Sequence, residues 1–248
     1  RTFFYEPKKE DNMNIALLTA AGGGTRMKQD IPKQFIHIDN KPIIIYTLEV
    51  FQQHPGIDKI IVVTLEAWMD VLNAYAKQFN ISKLEWIVKG GETGQESIYL
   101  GLEEVIKHCK EDDVIMIHDG NRPLVSSEIL SDSLATFKKY GSAVAAIPCT
   151  EAVFESDNAT SSVVSIPRER LMRTQTPHTY RLGELLSAHK EAMEKNIINT
   201  AASCVLMQKL GKTIYFSKGS EKNIKITTMD DIPIFQSLIH CKLESWFK

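Results

Sequence analysis

Residues 17–35 read LLTAAGGGTRMKQDIPKQF, and the fold turns on how that stretch is divided. Its start closes a short apolar run, Ile15 to Leu18, and Gly22, Gly23 and Gly24 follow in a row. A brief apolar run ending in glycine reads as a strand buried on both faces, and such strands belong to parallel sheets covered by helices. The chain then repeats the arrangement. KPIIIYTLEVFQQH places Ile43, Ile44, Thr47, Leu48 and Phe51 on one helical face, with Pro42 suited to the first turn. KIIVVTL, LEWIV, DVIMI and SAVAAI read as further strands, and Gln95 to Lys107 and Ser126 to Tyr140 as helices. Strand and helix in alternation predict an α/β fold, a mostly parallel sheet with helices on both faces.

The rhythm breaks at residues 148–168, PCTEAVFESDNATSSVVSIPR, where two β-prone runs flank a polar turn. This predicts a projecting β-hairpin, either a solvated excursion or an arm for dimerisation, since an isolated hairpin is marginal in water. A helix from Leu182 to Lys195, a strand near TIYFS and a final helix follow; for that helix Thr228 and Asp231 suggest a cap in which the hydroxyl accepts from first-turn amides. Residues 13–248 are expected to form one domain, and the charged, aperiodic residues 1–12 an extension with no functional part.

The 248 residues are 43% hydrophobic, and 29 basic against 31 acidic side chains leave a formal charge of -2. No overall field would gather nucleic acid or an anionic membrane, so any polyanion is recognised by a local cluster. No run approaches the ~20 apolar residues of a membrane span, and the start lacks a signal-peptide layout, so a cytoplasmic protein is expected. Cys109, Cys149, Cys204 and Cys241 form no Cys-x-x-Cys pair and read as buried thiols of a reducing compartment.

Three loops follow strands: AAGGGTRM, GGETGQES and HDGNRP. In an open parallel sheet ligands bind outside the carboxyl ends of the strands, so the three should converge on one crevice. Gly22, Gly23 and Gly24 offer amides to phosphate oxygens, or form a plain tight turn. A dinucleotide fingerprint would need glycine at Met27, no Gly-Lys-Ser/Thr marks a P-loop, and no acidic residue ends the second strand near Thr64, which disfavours a nicotinamide dehydrogenase. Arg26 and Lys33 instead bring full positive charge to the glycines, as a triphosphate clamp would. Asp119 ends an apolar strand, where a carboxylate needs a partner. It would hold Mg²⁺ beside a polyphosphate, or pair with Arg122, or cap the next helix. His118 reads as a packed histidine.

Taken in order, AAGGGTRM with PKQ, the glycine pair before Ser97, HDGNRP, TQTP and NIKITT resemble the family of 2-C-methyl-D-erythritol 4-phosphate and ribitol-5-phosphate cytidylyltransferases, from Met13 to the last helix. The resemblance implies a Rossmann-like domain with a hairpin arm, a homodimer, and transfer of CMP from CTP to a polyol phosphate with Mg²⁺, releasing pyrophosphate. It implies that Arg26 and Lys33 hold the triphosphate, and that Ala20, Ala21, Gly90 and Ser97 frame the cytosine beside Gly22 and Gly24. Asp119 matches the metal ligand. Arg168, Thr176 and Lys225 fall where the second substrate is gripped, Lys225 on the reacting phosphate, and Arg122 matches an arginine lent across the dimer.

Three positions depart from the family pattern. Gly94 replaces the arginine of Gly-Gly-x-x-Arg-x-x-Ser, Glu151-Ala152 replace an Asp-Thr pair, and the Thr-Asp before a later helix falls on Asn199-Thr200 or Thr200-Ala201 without the acid. The acceptor half departs more than the triphosphate half, which leans towards a ribitol-type acceptor. Methylerythritol phosphate as acceptor and a catalytically silent nucleotide-binding paralogue stay as alternatives. No general base is required, because a phosphate nucleophile is already ionised at neutral pH.

Overall fold

The computed structural model describes residues 12–22 and 31–241, and every structural statement concerns these. Gly23, Gly24, Arg26 and Met27, and the expected extension apart from Asn12, lie outside the described residues. In chain order the elements are β1 (Asn14–Ala20), β2 (His37–Ile38), β3 (Lys41–Pro42), α1 (Ile43–Gln53), β4 (Lys59–Thr64), α2 (Met69–Gln78), β5 (Leu84–Lys89), α3 (Gly94–Val105) and β6 (Val114–Asp119). There follow α4 (Ser127–Tyr140), β7 (Ser142–Pro148), β8 (Val153–Glu155), β9 (Val164–Ile166), β10 (Met172–Arg181), α5 (Leu182–Glu194), α6 (Ser203–Lys209), β11 (Phe216–Lys218) and α7 (Asp231–His240). Among the described residues seven strands make one sheet in the order β11-β7-β10-β6-β1-β4-β5, parallel throughout except for β10.

The two-residue period of the strands divides the core. Ile15, Leu17, Ile61, Val63, Ile115 and Ile117 pack under α3, α5 and α6. Their neighbours Ala16, Leu18, Ile60, Val62 and Met116 pack under α1, α2 and α4. Both faces of the central strands are therefore out of water, and each such Leu or Ile contributes roughly 1.5–3 kcal/mol of burial. A third cluster, Ile38, Ile43, Ile226, Ile232 and Phe235, fastens α7 and the segment before it against β2 and α1. The α/β expectation holds, and the helices expected at 95–107, 126–140 and 182–195 are found within two residues at each end.

Other expectations are corrected. Pro42 does not enter the helix but precedes α1 in extended conformation, as the end of β3. The largest difference is β10, a ten-residue antiparallel strand between β6 and β7 that the sequence pattern does not announce. Most of its inner residues are polar, and Gln175, Thr176, His178 and Thr179 find partners, whereas Tyr180 packs in the core with its hydroxyl unbonded among the described residues. Gln175 bonds both the amide and the carbonyl of Ser220, His178 meets Ser203, and Thr179 meets Ser133. At the last helix the cap is reversed: the Asp231 carboxylate accepts from the amides of Thr227 and Thr228, and the Thr228 hydroxyl donates to it. Of the thiols, Cys149 and Cys204 are buried, Cys109 is half-buried and Cys241 is exposed.

The hairpin is present as β8 against β9, the first strand displaced by one residue from the AVF run and the second covering the last three residues of SVVSI, and it is almost wholly exposed. Asn158 shapes its tip by accepting from the amides of Thr160 and Ser161. The hairpin joins β7 to β10, which are themselves antiparallel neighbours.

His118, His178 and His189 are buried, and loss of water pushes their pKa values down to about 3, about 4 and about 4. Unfolded histidines take up a proton near 6.5, so below that pH the unfolded chain binds more protons than the native one and stability falls. Lowering the pH from 7 to 5 is expected to reduce the urea midpoint, by a loss on the order of several kcal/mol. A midpoint flat across this range would show that these histidines are protonated in the fold.

Candidate active site

Strands β1 and β6 run parallel, so their carboxyl ends open on the same edge of the sheet. A cavity of about 490 Å³ lies there. One wall is Ala20-Ala21-Gly22 after β1, another the first turn of α3 with the residues before it, and a third Asp119 to Arg122 after β6. Thr174 to Thr176 of β10, Thr200 to Ser203, Lys33 and Lys225 complete it.

On the β1 side, local hydrogen bonds fix the backbone. Gln34 is buried, and its amide donates to the carbonyls of Ala20 at 2.5 Å and Gly22 at 3.4 Å, so the PKQ motif clamps the start of the glycine loop. Gly90 lies behind this wall. A Cβ there would stand 2.2 Å from Ala21 Cβ and 3.1 Å from Ser97 Oγ, so only glycine lets β1 and α3 approach this closely. Thr93 caps α3 by accepting from Glu96 N–H, while Glu96 accepts from Glu92 N–H and Ser97 Oγ from Gly91 N–H. A Cβ on Gly94 would meet open space, so packing does not demand the glycine that replaces the family's arginine.

Asp119 is the electrostatic centre. Arg122 Nε donates to its Oδ2 at 2.9 Å and Lys225 Nζ to its Oδ1 at 2.9 Å. Its amide donates to Thr176 Oγ1 at 3.1 Å. Burial pushes the carboxyl pKa up, but Lys225 and Arg122 outweigh it and hold the group well below the usual carboxylate range. The cations are themselves placed by backbone. Arg122 also donates to the Asn223 carbonyl at 2.7 Å, Asn223 donates to the Thr176 carbonyl at 2.9 Å, and Asn121 exchanges bonds with Ile226. The segment NIKITT is thus stitched across the ends of β6 and β10, and Lys225 is aimed inward. Lys33 faces both the cavity and α7. Burial pushes the Asp231 carboxyl pKa up, and the Thr227 and Thr228 bonds together with the charge of Lys33 bring it below its ordinary value.

The structure therefore brings together Ala20, Ala21, Gly22, Lys33, Ser97, Asp119, Arg122, Thr176 and Lys225. Arg26 and Gly24 fall outside the described residues. Arg168 is not brought in: it sits exposed at the foot of the hairpin, donating to the Thr150 carbonyl at 2.7 Å. Asp119 and Asn223 hold Arg122 at the cavity of its own chain. The Asp119–Arg122 pairing weighed in the sequence is present, and Lys225 joins it. His118 is packed as expected, its ring 5.1 Å from Phe51. Sequence reasoning passed over Gln34, Asn121, Asn223 and Gln95, all polar and buried. It also passed over Thr93, although Thr-x-x-Glu before an apolar run is a capping signature.

No helix among the described residues is long and apolar enough to cross a membrane. The IspD family model, 2-C-methyl-D-erythritol 4-phosphate cytidylyltransferase, matches residues 14–240. A ribitol-5-phosphate cytidylyltransferase of Lacticaseibacillus paracasei is 40% identical over 232 residues, 93% of this chain and 99% of the relative. A 2-C-methyl-D-erythritol 4-phosphate cytidylyltransferase of Clostridium botulinum is 35% identical over 226 residues, 91% of this chain and 97% of the relative. The crystal structure of the Francisella tularensis 2-C-methyl-D-erythritol 4-phosphate cytidylyltransferase superposes with a TM-score of 0.75 at 30% identity, covering 90% of this chain and 98% of that one. The chain belongs to the IspD cytidylyltransferase family and is a CTP-dependent nucleotidyltransferase.

Proposed function

We propose that the chain transfers the cytidylyl group of CTP to ribitol 5-phosphate, giving CDP-ribitol and pyrophosphate. The observation that carries the acceptor is the identity, over nearly the whole of both chains, of 40% to a relative named for ribitol 5-phosphate against 35% to one named for methylerythritol phosphate. The cavity supports it: the wall Thr200-Ala201-Ala202 offers a hydroxyl and no carboxylate where the family pattern has Thr-Asp.

In this reading an oxygen of the acceptor phosphate attacks the α-phosphorus of CTP. A new P–O bond forms as the bond to the bridging oxygen breaks, and pyrophosphate leaves with the electron pair. The nucleophile is ionised at neutral pH, its second pKa being about 6, so no side chain takes a proton. Catalysis is then positioning and charge stabilisation. Lys33 and Lys225, with Arg26 beyond the described residues, meet the charge on the phosphates. Ala20, Ala21, Gly22 and Ser97 frame the nucleotide, supported from behind by Gly90 and continued by Gly24. Thr176, Lys225 and Arg122 face the acceptor phosphate.

Mg²⁺ fits the donor set. Among the described residues no group of three or more His, Cys, Asp or Glu side chains gathers, and Asp119 supplies one carboxylate. That is what Mg²⁺ takes when phosphate oxygens and water fill its other positions. Held by Asp119, it would neutralise charge on the triphosphate.

The chain works as a homodimer through residues 148–168. Phe154, Val163 and Val164 are 60%, 101% and 48% exposed on a hairpin too small to be stable alone, and a second copy would cover them. Arg168, at the foot of that arm, would reach the acceptor only through such an assembly.

Kinetics with purified protein should give a kcat/KM for ribitol 5-phosphate at least about tenfold above that for methylerythritol phosphate, since polar partners missing from a site cost a substrate that needs them. The reverse preference overturns the acceptor, and tight CTP binding without turnover of either favours the silent paralogue. Lys225→Ala should lose about 10²–10³ in kcat with an unchanged circular dichroism spectrum. A folded variant with ordinary turnover removes Lys225 from the chemistry. Deleting residues 152–166 should convert a dimer into monomers that bind CTP without turnover, as read by sedimentation and calorimetry, whereas a monomeric full-length chain ends the role of the arm.

A further inference from the structure

The cavity has a nucleotide wall, built on the first turn of α3, and opposite it the segment before α6. One side chain joins them. Gln95, in the first turn of α3, is buried, and its Oε1 accepts from both the amide of Thr200 at 2.9 Å and the hydroxyl of Thr200 at 3.0 Å. Its Nε2 donates to the Ile197 carbonyl at 2.8 Å. The chain turns just before and between these contacts, with Asn196 and Asn199 both in the left-handed region, at φ 55° and 53°. Ile197 packs against the core while Ile198 at the crest is 66% exposed, so apolar contact anchors the start of the turn and not its continuation towards Thr200. Gln95 supplies its attachment to α3, and Glu96 and Ser97, the next two residues, fix the GGETG loop from the same helical turn.

We propose that Gln95 is a positioning residue that sets the acceptor-facing segment 197–202 in register with the nucleotide-facing loop. The inference rests on the reading that Thr200 to Ala202 faces the polyol. Gln95 touches neither substrate; it acts through Thr200. The threonine hydroxyl, spent as a donor to Gln95, keeps its acceptor lone pairs turned to the cavity, where a polyol hydroxyl can donate.

The test is Gln95→Met, similar in size and without the amide. The KM for ribitol 5-phosphate should rise about tenfold or more, as the loss of three hydrogen bonds implies, with the Kd for CTP by calorimetry unchanged within about twofold. The amide of Thr200 should exchange faster with deuterium. Thr200→Val, which removes the hydroxyl and leaves the amide bond, should raise the same KM less, and Thr200→Ser should restore it. A purely structural Gln95 would lower the melting temperature and leave both constants alone. Unchanged acceptor KM in folded Gln95→Met, or equal shifts for CTP and acceptor, overturns the proposal. If Gln95→Met does not fold, equal KM values for Thr200→Val and Thr200→Ser overturn it. A wild type that prefers methylerythritol phosphate refutes the ribitol reading alone, and the same comparison with that acceptor still judges Gln95.

Discussion

A carboxylate held between two cations at the end of a central strand is the constraint on which this molecule depends. Asp119 stays half-buried and ionised with Arg122 and Lys225 beside it, and removing the more deeply buried Arg122 would leave its charge without a close partner away from bulk water. Arg122 comes from the turn after β6, and Lys225 from a segment 106 residues beyond Asp119. Much of the later fold serves that meeting. Thr176 arrives on β10, Asn223 and Asn121 lash the NIKITT segment across the strand ends, and α7 seals it from below through Ile226, Ile232 and Phe235. The two cations are gathered at the mouth of the cavity, their mutual repulsion offset by one carboxylate.

The first turn of α3 is a second organiser of a different kind. Its four residues after the Thr93 cap carry no cation, and three of them spend their side chains on neighbouring backbone. Fixed amides and carbonyls line one side of the cavity, and the cations held at Asp119 line the other. Phosphoryl transfer needs little covalent participation from protein, so a site divided this way, with fixed dipoles at one end and cations at the other, suits the reaction.

Much of this was legible in the sequence, for reasons that differ by element. Strands β1, β4, β6 and β7 declared themselves because burial on both faces makes an apolar run, β5 at the sheet edge did so by its short LEWIV run alone, and the loops after β1, β5 and β6 pointed to one crevice because parallel strands share an edge. β10 did not, because it is buried by satisfying polar groups one at a time, and those partners lie on segments whose proximity only the finished fold supplies. The Gln95–Thr200 bond spans 105 positions and leaves no local pattern. The pairing of Arg122 with Asp119, three positions away, was legible, but its bond to the Asn223 carbonyl spans 101 positions and was not. At the last helix, Thr228 and Asp231 were paired correctly with donor and acceptor reversed, a distinction that depends on backbone angles.

The arm is the tip of a longer hairpin: β7 climbs to Pro148, the chain wanders through the arm, and β10 descends beside β7 from Met172. The entropy of closing such a connection grows only with the logarithm of its length, about 0.6 kcal/mol per doubling. Its sequence and size can therefore drift, or be exchanged outright, without disturbing the register of the sheet. Divergence should stop abruptly at Thr174, where the same strand begins to form the wall of the cavity. Across descendants of this chain, the exposed surface of the arm can evolve on a separate clock from the cavity wall only a few residues away.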